Sequence, residues 1–312
     1  MNKTKAARKK LPPQTHQTNT LLQSKGDKVF DVFVFILTIL IIVITLYPLI
    51  YVFSMAISNP ISVARKEIWL WPVGFSFEAF KTVLNDSNLY IYYGNTFWYT
   101  IVGIITGIAT TALAAYPLSR KNFGPRRIFL FIIMFTMFFG GGMIPTYLVV
   151  ARFLHLYNSR WALILPGLTS AWYISVARNF FATLPEEMLE SARVDGASEY
   201  RVFLQFVIPL SAPILAVLAL YYGIGQWNGY FSALLYLGEK NLQPLALYVR
   251  RVVIQNSLEV DNALSDLSYE QVMSVLQIKY AVIVVAVLPI LLLYPMLSKY
   301  LQKGMLVGSL KG

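Results

Sequence analysis

The chain has 312 residues, of which 57% are hydrophobic and only 13% charged, with a mean hydropathy of +0.58. Soluble domains carry about 25% charged residues, so a soluble globular protein is excluded and the chain reads as an all-α integral membrane protein. The absence of cysteine excludes disulfides and thiolate chemistry, and the two histidines, His16 and His155, leave no histidine-based metal cluster.

Residues 1–28 are polar and basic, with Pro12-Pro13 and several Thr and Gln, and read as a disordered cytoplasmic tail. The stretch 29–300 holds six apolar runs, at about 32–57, 96–117, 128–150, 161–181, 206–224 and 280–297, followed by a C-terminal tail at 301–312. Roughly 20 apolar residues cross about 30 Å of hydrocarbon as a helix, so each run predicts one span. With the N-terminus inside, the loops 118–127 and 182–205 and the C-terminus are cytoplasmic. Of the 26 Lys and Arg, 17 then lie on the cytoplasmic side. That is the expected sign of the bias, and it accounts for the net charge of +11 without a nucleic-acid partner.

The outer connection 58–95, with Pro60, Pro72 and many aromatics, predicts a short surface helix. The second long outer connection, 225–279, opens on GQWNGYFSALLYL, too short to span and expected to be re-entrant or interfacial. Ser268 with Gln271 has the spacing of a capping box for a helix that runs on into the sixth span. A helix from there to Tyr300 would measure about 48 Å and project beyond the bilayer core. Pro48, Pro117, Pro145, Pro166, Pro209, Pro213 and Pro289, with Gly140-Gly141-Gly142, disturb the spans and require neighbours to satisfy the freed backbone groups. Gly103 and Gly107, continued by Thr111 and Ala115, form a small-residue stripe that suits close packing against a partner subunit or, equally, against a helix of the same chain.

One polar stretch, Leu184–Pro213, stands apart: Glu186, Glu187, Glu190, Asp195 and Glu199 are five of the 15 carboxylates. Thr183 and Glu186 have capping-box spacing, with Pro185 in the first turn. Asp195-Gly196 supplies a left-handed helix end, and Ser198 can cap a second helix leading into the apolar run from Phe206. Helix, turn, helix on a cytoplasmic loop is either a docking knob or an ordinary connection. The spans hold one charged residue, Arg178, near a cytoplasmic end where snorkelling explains it, and this speaks against ion coupling. The chain has no P-loop sequence and no arrangement of nucleophile and base, so intrinsic ATPase or other enzyme activity is not indicated. An ion-coupled secondary carrier would need an internal repeat and ion ligands; that carrier and a non-transporting membrane assembly subunit are the alternatives to a permease driven by a bound ATPase.

The stretch resembles the signature loop of ABC importer permeases: Glu190-Ser191-Ala192 for the EAA element, then Gly196, Phe206 and Ile208-Pro209. Ser191, Phe206 and Ile208 depart from that pattern in residue type. Arg193-Val194-Asp195-Gly196-Ala197-Ser198 is similar to the form found in carbohydrate permeases of the maltose-permease type. MIPTYLVV (143–150), NSRWALILPG (158–167), QWNGYFSALLYL (226–237) and KGMLVGSLKG (303–312) look like the second permease of Gram-positive importers of complex or plant-polysaccharide-derived oligosaccharides. The resemblance implies a six-helix type I importer permease in a bacterial plasma membrane, with a cytoplasmic coupling helix between spans 4 and 5 and both termini inside. It also implies a homologous second permease, two ABC ATPases that bind ATP and Mg, and an extracellular sugar-binding protein, lipid-anchored or free. This chain itself would be non-catalytic and carry no cofactor.

By the same resemblance, Pro185–Val194 sits in a cleft of the ATPase. Glu190 and Arg193 are its polar contacts, Met188, Leu189 and Ala192 its apolar side, and Pro185 and Glu186 its start; Asp195 and Gly196 form the turn. Trp172, Tyr173, Tyr222, Trp227 and Tyr230 are the aromatics available to a sugar pathway, though most aromatics in such a chain serve packing or interface anchoring.

Overall fold

The structure, a computed structural model, describes residues 25–262 and 276–292, with side chains from 26 to 254 and from 276 to 292. The stretch before Lys25, the Ser268–Gln271 box, the end of the sixth apolar run and the tail 301–312 lie outside the described residues. The chain divides into two units, residues 1–50 and 51–312.

Taken by itself, the described part of the first unit lies on one helix, α1 (Lys25–Ile57), which starts earlier than the predicted span. It is apolar on every side, as a helix solvated by lipid or by other helices must be. Thr38 and Thr45 return their hydroxyls to the carbonyls of Val34 and Ile41, each at 2.7 Å, so neither hydroxyl hydrogen faces the apolar surroundings unpaired.

In the second unit the outer connection folds as α2 (Pro60–Ala64) and α3 (Glu78–Asn85). The spine is α4 (Ser87–Ser119), 33 residues and about 50 Å long. It starts on Asp86, whose carboxylate accepts from the Asn88 amide at 2.9 Å, and extends the predicted span at its outer end by nine residues. Its buried residues recur at helical spacing: Tyr92, Thr96, Tyr99, Gly103, Gly107, Thr111, Ala115 and Leu118.

Then follow α5 (Arg126–Phe138), α6 (Met143–Leu148) with a π turn at Val149–Phe153, α7 (Trp161–Ile164) with a 3-10 turn at Leu165–Gly167, and α8 (Ala171–Phe181). Next come α9 (Glu186–Val194), α10 (Glu199–Val202) with a π turn at Phe203–Val207, α11 (Ile208–Leu210) and α12 (Ala212–Asn228). The chain closes on α13 (Phe231–Tyr236), α14 (Leu245–Asn262) and α15 (Leu276–Leu292).

Three of the predicted spans are not single rods. The 128–150 run turns by 113° at the three glycines. The 206–224 run turns by 79° at Ser211, between Pro209 and Pro213. The 161–181 run leaves the helix at Leu168–Ser170, just after Pro166. There the freed Leu168 carbonyl accepts from Thr110 Oγ1 at 2.7 Å and from the Tyr222 hydroxyl at 3.2 Å, so two neighbouring helices meet the cost of the break. Among the described residues two helices, α1 and α4, are long and apolar enough to cross a membrane, or four if each bent pair counts as one span.

The small-residue stripe of α4 packs inside the chain. A Cβ on Gly103 would lie 2.7 Å from Gln226 Cγ, and one on Gly107 would lie 2.6 Å from Tyr222 Cε1. The Tyr222 ring is seated by a 2.7 Å bond between its hydroxyl and Thr111 Oγ1. In a bilayer, where lipid is as apolar as the side chains, such close backbone approach is the main source of helix–helix attraction.

Candidate functional site

The segment 182–205 folds as the helix, turn and helix its sequence predicts, with one change at its start. Thr183 donates its hydroxyl to Phe180 O at 2.7 Å, and α9 begins at Glu186 behind Pro185, with no side-chain cap. The capping box therefore does not form, and Pro185 is the cap residue rather than part of the first turn. Proline keeps the residue before it out of the helical region, so the helix starts two residues later than Thr183 could cap. Glu186 and Glu187 hold the first turn instead, where their charge suits the helix dipole.

The far end matches the prediction closely. Gly196 has φ +83°. Its N–H donates to Arg193 O at 3.0 Å, and Ala197 N–H donates to Ala192 O at 2.9 Å, the pair of bonds of a Schellman motif. Ser198 then caps α10, accepting from the Arg201 amide at 3.3 Å.

Residues on opposite sides of α9 do different things. Leu189 and Ala192 are buried in a cluster with Ala115, Phe181, Val202 and Val207, so the apolar side of the helix fastens it to its own bundle. The outward side carries Glu187, Glu190, Ser191, Val194 and Asp195 around a shallow hollow. Val194 is 88% exposed, an isolated apolar group on an acidic face.

Arg193 turns inward. Its Nε donates to Glu199 Oε1 at 2.6 Å, and Glu199 Oε2 accepts from the Tyr116 hydroxyl at 2.7 Å. This bond to Arg193 holds the Glu199 carboxyl below its usual 4.5, against some burial that opposes the shift. The ion pair spans the Gly196 turn from the last turn of α9 to the first residue of α10, and Tyr116 ties it to α4. Beneath this elbow lies a cavity of about 630 Å³, lined by Tyr116, Arg120, Asn122, Arg193, Glu199 and Phe203 among others.

Two arginines finish the supporting helices. Arg178 on α8 donates to Leu118 O at 3.2 Å, and Arg120, just past α4, donates to Phe181 O at 2.7 Å. Each meets a carbonyl that a helix end leaves unpaired. Snorkelling alone is thus not the account of Arg178; it is half of a reciprocal cap between α4 and α8.

The five predicted pathway aromatics separate into groups. Trp172 and Tyr173 lie together on α8, with ring centroids 5.5 Å apart, and Tyr173 meets Tyr222 at 4.7 Å. Tyr221, not foreseen from the sequence, completes the group by stacking on Tyr173 at 5.9 Å and meeting Trp172 at 5.5 Å. Trp227 is buried against Phe97 and Tyr93, and Tyr230 lies under Arg250. Tyr222 and Trp227 pack the bundle, while Trp172 and Tyr230 remain exposed.

Sequence reasoning gave no site role to Tyr116, Arg120 or Glu199, and took Val194 only as the end of the coupling helix. The signal for Glu199 was present, an acid six residues after Arg193 across a glycine turn; Tyr116 on α4 and Arg120 just past its end are distant in sequence and left none.

The described residues form a helical bundle with long apolar helices and an acidic helical elbow at α9 and α10. Residues 103–307 match the family described as binding-protein-dependent transport system inner membrane component, and the chain belongs to that family. It is a non-catalytic permease subunit, and ATP hydrolysis in such systems resides in separate subunits.

The chain is similar to Protein LplC of Bacillus subtilis (strain 168), at 38% identity over 95% of this chain and 99% of that protein. It is similar as well to the polygalacturonan/rhamnogalacturonan transport system permease protein YtcP of the same organism, at 35% identity over 92% of this chain and 99% of that one. Among solved structures it matches a chain of a bacterial ABC transporter involved in the import of the acidic polysaccharide alginate, with a TM-score of 0.80, 34% identity, and coverage of 89% of this chain and 98% of that one.

Proposed function

We propose that this chain is one of two permease subunits of an ATP-driven importer of oligosaccharides, derived from plant polysaccharides. It forms half of the translocation pathway, crosses a bacterial plasma membrane six times with both termini in the cytoplasm, and couples to its ATPase through α9. Its partners are a homologous permease, two ABC ATPases that carry ATP and Mg, and an extracellular sugar-binding protein, lipid-anchored or free. The similarity to a polygalacturonan/rhamnogalacturonan permease and to an alginate importer supports a polysaccharide-derived substrate.

The observation that carries the coupling role is the two-sided α9. Its apolar side, Leu189 and Ala192, is locked into the bundle, and an acidic side with Glu187, Glu190 and exposed Val194 is left for a partner. Met188, half-buried, packs against the same bundle cluster as Leu189 and Ala192, and Pro185 is exposed at the start of the helix. In this reading ATP closure moves the ATPase clefts, the clefts move α9, and the Gly196 elbow passes the motion to α10 and α12. Arg193 stiffens the elbow from within through Glu199, instead of touching the ATPase. Of the aromatics, Trp172 and Tyr173, joined by Tyr221, are the sugar-facing candidates.

Gly196→Pro tests the coupling. Proline cannot adopt φ +83° and removes the N–H given to Arg193 O. In proteoliposomes with the partner permease, the ATPases and the binding protein, the variant should remain in the membrane and lose ATP-driven uptake. Undiminished uptake overturns the coupling role.

A further inference from the structure

Arg250 and Arg251, consecutive on α14, line one cavity of about 320 Å³ with Gln243, Leu237 and Leu247, and no carboxylate is among its lining residues. Neither arginine forms an ion pair among the described residues, in contrast to Arg193. Each is instead held by a neutral group. Arg251 donates to Oε1 of the buried Gln243, whose Nε2 in turn donates to Leu237 O at 3.2 Å. The Gln243 carbonyl accepts from Asn95 Nδ2 at 3.1 Å, which fixes this platform to α4. The Arg250 guanidinium stands 5.4 Å above the centre of the Tyr230 ring. Both side chains are thereby oriented, and among the described residues no carboxylate pairs with either charge.

Two half-buried cations on one cavity have lost part of their hydration, which an incoming anion compensates. Guanidinium forks match carboxylates in shape as well as charge. The cavity reaches the lower bound of small-molecule sites, about 300 Å³, which suits one sugar ring better than a protein side chain. Leu234, Leu237 and Leu247, which also line the cavity, offer apolar surface for the C–H face of such a ring.

We propose that this cavity is a subsite for the carboxylate of a uronate-containing oligosaccharide, with Arg250 and Arg251 as its donors. The proposal rests on the oligosaccharide reading above and adds that the substrate is acidic.

The test uses the assembled importer in nanodiscs without its binding protein, with trigalacturonate and the neutral galactotriose as probes in a titration. Trigalacturonate should bind, more weakly as salt rises, and galactotriose should bind much less. Substituting both residues, Arg250→Gln with Arg251→Gln, should weaken trigalacturonate by about tenfold or more, the scale of one lost charge-assisted bond. Arg250→Lys with Arg251→Lys, which keeps charge but not the fork, should retain part of that affinity.

Equal binding of the two probes, or unchanged acidic binding in the double glutamine variant, overturns the subsite. So does a variant that still binds trigalacturonate but no longer associates with the binding protein, because the arginines then serve a protein carboxylate. ATP-driven uptake of neutral oligosaccharides alone overturns the subsite and leaves the importer reading standing; ATP-dependent uptake of no saccharide overturns that reading itself.

Discussion

Along the α4–α12 seam, Gly103 and Gly107 stand where a neighbouring side chain already fills the space that a Cβ would need, Gln226 Cγ at 2.7 Å and Tyr222 Cε1 at 2.6 Å. At the elbow, Gly196 has nothing within 4 Å of its would-be Cβ and is required only for its φ of +83°. The first is a requirement of packing and the second a requirement of the backbone. They teach that glycine in this chain protects two separate properties: the close packing of the α4–α12 seam, and the direction in which the chain leaves a short helix. The two requirements respond differently to the size of whatever replaces the glycine, and that is where the contrast can be broken.

The largest effect is expected at the seam. Gly107→Leu would drive four carbon atoms into the Tyr222 ring, which cannot swing aside while its hydroxyl is bound to Thr111 Oγ1 at 2.7 Å and to Leu168 O at 3.2 Å. Overpacking of a filled core costs about 1–3 kcal/mol and sometimes more; here displacement of Tyr222 also removes one of the two hydrogen bonds that the Leu168 carbonyl accepts at the helix break, leaving the one from Thr110. The variant should yield little monodisperse protein after detergent extraction. Pairing it with Tyr222→Ala should recover part of that yield, since the obstruction is removed. Full yield from the single variant would show that the seam is loose, and the contrast with the elbow would fall.

At Gly196 the expectation is smaller and, unlike the seam, independent of size. Ala and Leu at this position should cost nearly the same, about 1 kcal/mol or slightly more for a residue with a Cβ in the left-handed region. Thermal unfolding of the solubilised chain measures both. A much larger penalty for Leu than for Ala would mean that the elbow is a packing site after all.

How far these sites could be read in advance follows the same division. Gly196 was legible because its reason is local: acidic helix, Asp-Gly, then Ser198 lie within one short stretch, and backbone preference alone points to a turn. The stripe from Gly103 to Ala115 was legible as a stripe, but its partner was not, since Tyr222 and Gln226 lie more than a hundred residues away. The breaks in the third, fourth and fifth apolar runs had their glycines and prolines in plain view. Their angles depend on which neighbours accept the freed carbonyls, as Thr110 and Tyr222 do for Leu168. Thr183 misled for the opposite reason: spacing to Glu186 was right, but the proline between them moved the helix start. Tyr221 and Tyr116 gain their roles from side chains on other helices, information that no window of sequence holds.

The smallest effect on stability, and the sharpest on the distinction between packing and direction, is expected at Glu199. Its side chain is 61% exposed and that of Arg193 30% exposed, at 2.6 Å separation. Solvent screening therefore leaves the pair no more than about 0.5 kcal/mol. The sign follows from the direction of the Glu199 shift: the hydrogen bond from Arg193 lowers its folded-state pKa below 4.5, so the contribution is present above the unfolded value and disappears as pH falls through the folded one. Melting temperatures of the solubilised wild type and Glu199→Gln should differ slightly near neutral pH and converge once the pH drops below the ordinary carboxylate range. Coupling should respond more strongly, because an elbow without its brace can flex and absorb the motion of α9 before it reaches Tyr116 and α4. In proteoliposomes Glu199→Arg should lower the sugar moved per ATP hydrolysed while the ATPases still co-purify, and adding Arg193→Glu, which restores an ion pair of reversed polarity, should recover much of that ratio. Loss of ATPase co-purification in Arg193→Glu alone, without rescue by Glu199→Arg, would instead assign Arg193 to the docking face and leave Gly196 as the sole determinant of the elbow.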